Sequence, residues 1–170
     1  MAAAPAMKSP RKLRQRKSAT SANLWGGLQE GDLVVVDSAP LIYLLDDHPD
    51  FAPLFEGLFE LQAQGKLQIA ISTIAMAEVL AGPLKQGQDV LAKRYQTALA
   101  GFDVVRVSQE IAVTAARIRA TAGLRLPDAL QAATTLEIGA AALVTHDRDF
   151  SRLTGMRVIL GDTVHQGPGA

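Results

Sequence analysis

Short aliphatic runs recur along this chain, and longer amphipathic segments separate them. Residues 33–36 are apolar at every position, which is typical of a strand that is buried on both faces of a parallel sheet. Similar runs occupy residues 67–72, 102–107, 141–145 and 157–160. Strands that alternate with helices form βαβ units with helices on both faces of the sheet. The sequence therefore predicts an α/β fold around a central, mostly parallel sheet.

The segments between these runs show helical spacing, and glycine or proline marks several of their ends. We expect helices over residues 39–45, 51–64, 74–81, 89–100, 109–122 and 128–137. Gly65 closes the second of them, and Gly82 with Pro83 stops the third, because glycine and proline disfavour a continuing helix.

The charge is distributed unevenly although the formal net charge is zero. The first 17 positions hold six of the 17 basic residues, namely Lys8, Arg11, Lys12, Arg14, Arg16 and Lys17. The rest of the chain has 11 basic and 17 acidic residues, a formal net charge of −6. We expect a disordered basic arm over residues 1–30, one domain over 31–162 and a flexible tail over 163–170. A solubilising leader, a nucleic-acid contact and an organellar transit peptide are three interpretations of the arm.

Composition excludes several classes of site and of location. The chain has no cysteine, so disulfides, thiolate metal sites and cysteine nucleophiles are excluded. Its apolar runs are shorter than the roughly 18 residues that a membrane-spanning helix needs. We therefore expect a soluble, cytoplasmic protein without a membrane partner.

Four acidic residues stand where an apolar run stops or a predicted helix begins: Asp37, Glu78, Asp128 and Asp147. A site in a parallel sheet lies outside the carboxyl ends of its strands, where Asp37 and Asp147 fall. Buried carboxylates are costly unless a positive charge lies between them. Hard divalent cations prefer oxygen ligands, and such ions can activate water against a phosphodiester. The pattern thus indicates a site for Mg²⁺ or Mn²⁺, in which Asp37 and Asp128 are the first choices for direct ligands.

Each acid taken alone also has a structural explanation. Asp128 suits the first turn of a helix, where a negative charge is favourable, and Asp147 and Asp149 suit a turn. His146 is better explained as a hydrogen-bonding neighbour than as a general base. The inference depends on all the acids together.

Four segments, at residues 34–42, 71–82, 126–133 and 143–150, together resemble a PIN-domain ribonuclease, and most closely the VapC-type toxins of bacterial toxin–antitoxin pairs. The resemblance implies a Rossmann-like sheet, an acidic pocket for Mg²⁺ or Mn²⁺, and hydrolysis of RNA by metal-activated water. It also implies a homodimer and a small antitoxin protein as partner.

Residue by residue, the resemblance assigns roles to this chain. The four acids above match the family's acids, with Asp149 as a possible accessory ligand. Ser38 and Thr145 match hydroxyl positions that help to hold the metal or the phosphate. Arg125, Arg148 and Arg152 flank the site in sequence, and we expect them to contact RNA phosphates.

Three other functions are alternatives to a ribonuclease. A PIN-like module without activity would bind RNA or protein, although the presence of all four acids argues against it. A phosphatase of the haloacid dehalogenase type needs a second aspartate where this chain has Ala39. A receiver domain needs a lysine near the end of a late strand, and nothing suitable follows Thr145.

Overall fold

The computed structural model describes residues 24–164, in which all five predicted strands form one sheet. The strands are β1 (Leu33–Val36), β2 (Gln68–Ser72), β3 (Asp103–Val105), β4 (Ala142–Thr145) and β5 (Val158–Leu160). Every neighbouring pair is parallel, and the order across the sheet is β3-β2-β1-β4-β5. The predicted α/β fold is confirmed, with a sheet that is parallel throughout.

The centre of the sheet is the point where the strand order changes direction. The chain runs outward from β1 through β2 to β3, and then returns to place β4 on the other side of β1. Val35 is in register with Ala70 of β2 and with Leu143 of β4. A crevice opens at such a switch point beyond the carboxyl ends of the strands, and ligands bind there in open α/β sheets.

Helices cover both faces of the sheet. They are α1 (Ser38–Leu45), α2 (Glu56–Ala63), α3 (Thr73–Lys85), α4 (Asp89–Leu99), α5 (Gln109–Ala122), α6 (Leu126–Glu137) and α7 (Gly161–Val164). Val34 and Val36 point into the core cluster formed with α1 to α4, whereas Val35 points into the cluster formed with α5 and α6. All three valines are fully buried, as expected for a central strand whose side chains alternate between two covered faces.

The predicted end of α3 is wrong. The helix does not stop at Gly82 and Pro83 but continues to Lys85. Proline disfavours a helical conformation of the preceding residue mainly through that residue's Cβ and N–H. Gly82 has no Cβ, so the helix passes through this pair. Pro83 is buried within the fold.

The predicted helix over residues 51–64 is also wrong, because it is two elements. A 3₁₀ turn covers Ala52–Leu54 and α2 begins only at Glu56. Between them Phe55 has φ −117° and ψ −7°, which departs from the α-helical geometry. The ring of Phe55 is buried in the core, so the break between the 3₁₀ turn and α2 falls at a residue whose side chain is packed.

The packed part of the chain begins before residue 31. Leu28 is fully buried, and Trp25 packs against Phe55 with a ring-centroid separation of 6.2 Å. Some residues of the predicted arm thus contribute to the core. The six basic residues of the arm and His165 lie outside the described residues. No helix among residues 24–164 is long and apolar enough to cross a bilayer.

Candidate active site

Asp37 lies directly after β1 and is held at the switch point by hydrogen bonds. Its Oδ1 accepts from the Ser38 backbone N–H at 2.7 Å and from Gln131 Nε2 at 3.1 Å. Its Oδ2 accepts from Thr145 Oγ1, at the end of β4, at 2.7 Å. The Asp37 backbone N–H also donates to Val144, which continues the β1–β4 ladder by one residue. The strand pair and three donors therefore fix the direction of this carboxylate.

Burial dominates the electrostatics of Asp37. The residue is only 7% exposed, and loss of hydration raises its pKa above the ordinary value, with a smaller upward contribution from the charge of Asp128. The hydrogen bonds from Thr145, Ser38 and Gln131 lower the pKa but do not cancel the effect of burial. An ionised Asp37 is therefore costly in this environment unless a cation approaches it.

Glu78 extends from the middle of α3 toward the same place. Burial raises its pKa, and the negative charges of Asp37 and Asp128 raise it further, while interaction with the Ser38 side chain and the charge of Arg125 lower it. Glu78 thus belongs to the same electrostatic group as two of the other acids.

Asp128 and Asp147 are joined by one arginine. Arg125 Nε lies 3.1 Å from Asp128 Oδ2, and Arg125 Nη2 lies 3.7 Å from Asp147 Oδ2. Asp128 stands in the first turn of α6, as predicted. The other oxygen of Asp147 accepts from the Asp149 backbone N–H at 2.8 Å, so Asp147 also caps the 3₁₀ helix that follows it. Asp147 therefore forms a turn, as predicted, and also lies near the other acids.

The structure thus brings the four predicted acids to one edge of the sheet. We call Asp37, Glu78, Asp128 and Asp147 the acidic cluster. Asp37 and Asp147 follow β1 and β4, and the other two members lie in helices that cover the sheet. The PIN domain family model matches residues 34–156, which contain the whole cluster. This chain belongs to the PIN domain family.

Solved structures of other proteins agree with that assignment. A toxin–antitoxin complex from Klebsiella pneumoniae is 30% identical, with a TM-score of 0.60 over 75% of this chain and 97% of that chain. VapBC2 from Rickettsia felis, bound to a DNA fragment from its promoter, is 21% identical, with a TM-score of 0.64 over 75% and 98% of the two chains. Mycobacterium tuberculosis VapC20, a toxin that cleaves the sarcin–ricin loop, is 15% identical, with a TM-score of 0.58 over 69% and 92%. Comparison with curated protein sequences gives no significant match.

The remaining predicted site residues of this PIN domain are placed less centrally. Arg148 Nη2 pairs with Asp162 Oδ2 at 2.5 Å, and Asp149 Oδ1 pairs with Arg152 Nη2 at 2.6 Å. These contacts tie the two residues to partners outside the acidic cluster. Asp162, the last residue of the predicted domain, lies in α7.

Gln131 is a site residue that was not predicted from the sequence. Its side chain is buried on α6, and it links Asp37 to Ser72, whose hydroxyl donates to Gln131 Oε1 at 2.6 Å. The available signal was its position three residues after Asp128, which places both side chains on the same face of a helix. A polar amide among alanines and leucines also needs a buried partner.

Tyr43 was also missed. Its hydroxyl lies 3.1 Å from His146 Nδ1, and the two rings meet edge to face with centroids 5.5 Å apart. Burial raises the pKa of Tyr43, and so does the charge of Asp37. His146 therefore has the hydrogen-bonding role that the sequence suggested, with a tyrosine at the border of the site as its partner.

The residues of the acidic cluster fit a divalent cation in chemistry and in charge. They offer only carboxylate oxygens, the ligands that Mg²⁺ and Mn²⁺ prefer, and PIN-domain nucleases generally use divalent metal ions. Within residues 24–164, however, no three His, Asp or Glu side chains stand in an arrangement that could hold an ion. Arg125 lies between Asp128 and Asp147 instead, so a cation would require the side chains on that side of the cluster to turn.

Proposed function

We propose that this PIN-domain protein is a metal-dependent ribonuclease and the toxin of a toxin–antitoxin pair. The observation that supports this proposal is the convergence of the acidic cluster at the switch point of the sheet. Two of its members, Asp37 and Glu78, have pKa values raised by burial and by neighbouring negative charge. Such a group is stabilised by a positive ion, and pKa values of this kind gather at functional sites.

In the proposed reaction the residues of the cluster have different roles. Asp37 and Asp128 would hold Mg²⁺ or Mn²⁺, which supplies activation of water and neutralises charge on the leaving oxygen of the phosphodiester. Glu78 is suited to orient the attacking water and to take its proton, because a raised pKa brings a carboxylate closer to the working pH of a general base. Thr145 and Gln131 keep Asp37 in position, and Ser38 keeps Glu78 in position.

RNA as the substrate is supported by the family and by charge. VapC-type PIN toxins are ribonucleases, and a phosphodiester is the anion that a metal-loaded carboxylate site can attack. The acidic body does not attract RNA, so we assign phosphate contacts to Arg125 and Arg148, the basic residues that flank the cluster. We expect the reaction to take place in the cytoplasm.

An antitoxin is the proposed protein partner, and a homodimer the proposed assembly. The similar structures from Klebsiella pneumoniae and Rickettsia felis are toxin–antitoxin complexes. In this chain a cavity of about 180 Å³ borders Glu78 between α1, α3 and α4. Leu84 and Val90 on α3 and α4 are 52% and 71% exposed, and exposed apolar side chains suit contact with another protein.

The test is cleavage of single-stranded and structured RNA by the purified protein with Mg²⁺, with Mn²⁺ and with a chelator. We expect cleavage that requires the metal, and a rate lower by roughly a hundredfold or more in Asp37→Asn and Asp128→Asn protein. Asp50→Asn is the matched control, because Asp50 is exposed and lies outside the cluster. Full activity in Asp128→Asn would contradict the proposal.

One observation favours the alternative of an inactive PIN-like binding module. Arg125 already neutralises part of the cluster, as it would in a protein that needs no metal. Wild-type protein that binds RNA or a protein partner but cleaves no RNA under any Mg²⁺ or Mn²⁺ condition would establish this alternative.

A further inference from the structure

Arg125 is the residue immediately before α6, and its guanidinium contacts two carboxylates from different elements. It reaches Asp128 Oδ2 through Nε at 3.1 Å and Asp147 Oδ2 through Nη2 at 3.7 Å. The planar guanidinium presents several N–H groups in a fixed fork, so one arginine can serve two acceptors where a lysine offers a single charged point. Arg125 therefore joins the α6 side of the acidic cluster to the β4 side.

The backbone that carries Arg125 is anchored, whereas its side chain is free to move. Leu124 is buried, and its carbonyl accepts a hydrogen bond from Arg119 Nε at 3.4 Å. The side chain of Arg125 itself is 75% exposed. Exposed ion pairs contribute little to stability, so this side chain can leave its partners while its Cα stays in place.

Electrostatically, Arg125 acts as the counter-ion of the cluster. Its hydrogen bond with Asp128 and that residue's charge raise the pKa of Arg125, with smaller contributions from Asp147 and Asp149. In return, its positive charge lowers the pKa of Glu78. Nearby arginines are engaged elsewhere, since Arg148 pairs with Asp162 and Arg152 with Asp149.

We propose that Arg125 is a resident counter-cation, which holds the acidic cluster when no divalent ion is bound and which such an ion must displace. The inference rests on the proposed metal-dependent function. The guanidinium of Arg125 occupies the space next to Asp128 Oδ2 and Asp147 Oδ2. A divalent ion that takes those oxygens must displace the guanidinium, because like charges at this distance repel each other.

Displacement has a consequence for the substrate. A guanidinium released from Asp128 and Asp147 remains tethered at the start of α6, beside the place where the phosphodiester must lie. Arginine binds phosphate through paired N–H donors. Arg125 thus has a second role, in binding the substrate, because metal loading frees it from the acids and makes it available to RNA.

The experiment measures Mn²⁺ affinity of the full chain by titration calorimetry, without RNA. Arg125→Gln should bind Mn²⁺ about fivefold more tightly than wild type, because the competing charge is gone. Arg125→Lys should give an intermediate affinity. Arg117→Gln is the charge-matched control, because Arg117 is exposed on α5 and lies near Glu137 at the far end of α6, and its Mn²⁺ affinity should stay close to that of wild type.

Thermal unfolding gives a second readout that does not depend on activity. Without metal, Arg125→Gln should unfold only slightly below wild type, because the ion pairs that it loses are exposed and contribute little to stability. Saturating Mn²⁺ should close this gap, since the ion replaces the missing charge.

The outcomes separate this inference from the function on which it rests. Mn²⁺ affinity in Arg125→Gln that equals or falls below that of wild type would overturn the displacement, while the nuclease proposal would stand if wild type cleaves RNA. Equal tightening in Arg125→Gln and Arg117→Gln would also overturn it, because the effect would then be one of net charge. Wild-type protein that neither binds Mn²⁺ nor cleaves RNA would remove both proposals.

Discussion

Gln131 donates from its side-chain amide to Asp37 Oδ1 at 3.1 Å, and both side chains are buried. The same amide group accepts from the Ser72 hydroxyl at 2.6 Å. Ser72 in turn caps α3, since its Oγ accepts from the Ala75 backbone N–H at 3.0 Å. One glutamine therefore connects the carboxylate at the end of β1 to the start of the helix that carries Glu78.

Replacing Gln131 by methionine should destabilise the protein although the volume is nearly unchanged. The substitution leaves Asp37 Oδ1 and the Ser72 hydroxyl each without one buried partner, at a cost of about 1–3 kcal/mol in the free energy of unfolding. Urea denaturation measures this value. Gln96→Met is the matched control on an exposed face of α4, where we expect almost no change. Equal stability of the two variants would show that the hydrogen bonds of Gln131 to Asp37 and Ser72 do not stabilise the fold.

Tyr95 should give the protein a stability that disappears in alkaline solution. Burial raises its pKa from 10.0 to about 12, and its hydrogen bond to Asp46 contributes to the shift. Because the pKa is higher in the folded state, the stabilisation is complete below pH 10.0 and is lost as the pH rises through about 12. The difference in unfolding free energy between wild type and Tyr95→Phe should therefore shrink over this window.

Absorbance titration can assign that shift to one residue, because the chain has two tyrosines. In Tyr43→Phe protein the remaining phenol is that of Tyr95, and it should ionise at about 12 when folded and near 10.0 in denaturant. Ionisation near 10.0 in the folded variant would contradict the buried hydrogen bond to Asp46.

Gly161, at the start of α7, should not tolerate a side chain. A Cβ at this position would overlap the ring of Phe55, which is itself buried in the core. We expect Gly161→Ala to cost about 1–3 kcal/mol of stability, because a close-packed core accepts added volume only through strain. Chemical denaturation would measure this loss.

A double-mutant cycle tests the stated cause. The cost of Gly161→Ala should be smaller in a Phe55→Leu background, where the smaller side chain leaves room for the methyl group. Strictly additive effects of the two substitutions would mean that contact with Phe55 is not the reason for the loss.

The strands could be predicted from the sequence because each is a short aliphatic run, and a central parallel strand such as β1 is apolar on both faces. Among the four acids, Asp37 and Asp147 stand out in the sequence because each follows an aliphatic run, whereas Glu78 and Asp128 lie in helices. The end of α3 could not, since glycine before Pro83 weakens the usual stop signal instead of strengthening it. The break before α2 falls at Phe55, whose ring is buried in the core, and the sequence pattern does not indicate that packing.

Within the site, residue types were predictable but pairings were not. Arg125 and Arg148 look alike in the sequence, as basic residues that flank acids. The structure turns one toward Asp128 and the other toward Asp162. The buried position of Gln131 likewise depends on where α6 packs over the sheet. These choices are made by long-range contacts that no local pattern records.

The adjacency of β1 and β4 has a consequence for biosynthesis. Thr145 holds Asp37 across a separation of 108 residues in the chain, and the strand that carries it comes after most of the domain. A nascent polypeptide that has not yet released β4 from the ribosome lacks both this hydrogen bond and Asp147. The acidic cluster is therefore completed late in translation. A polypeptide that ends before β4 contains Asp37, Glu78 and Asp128 but lacks Thr145 and Asp147.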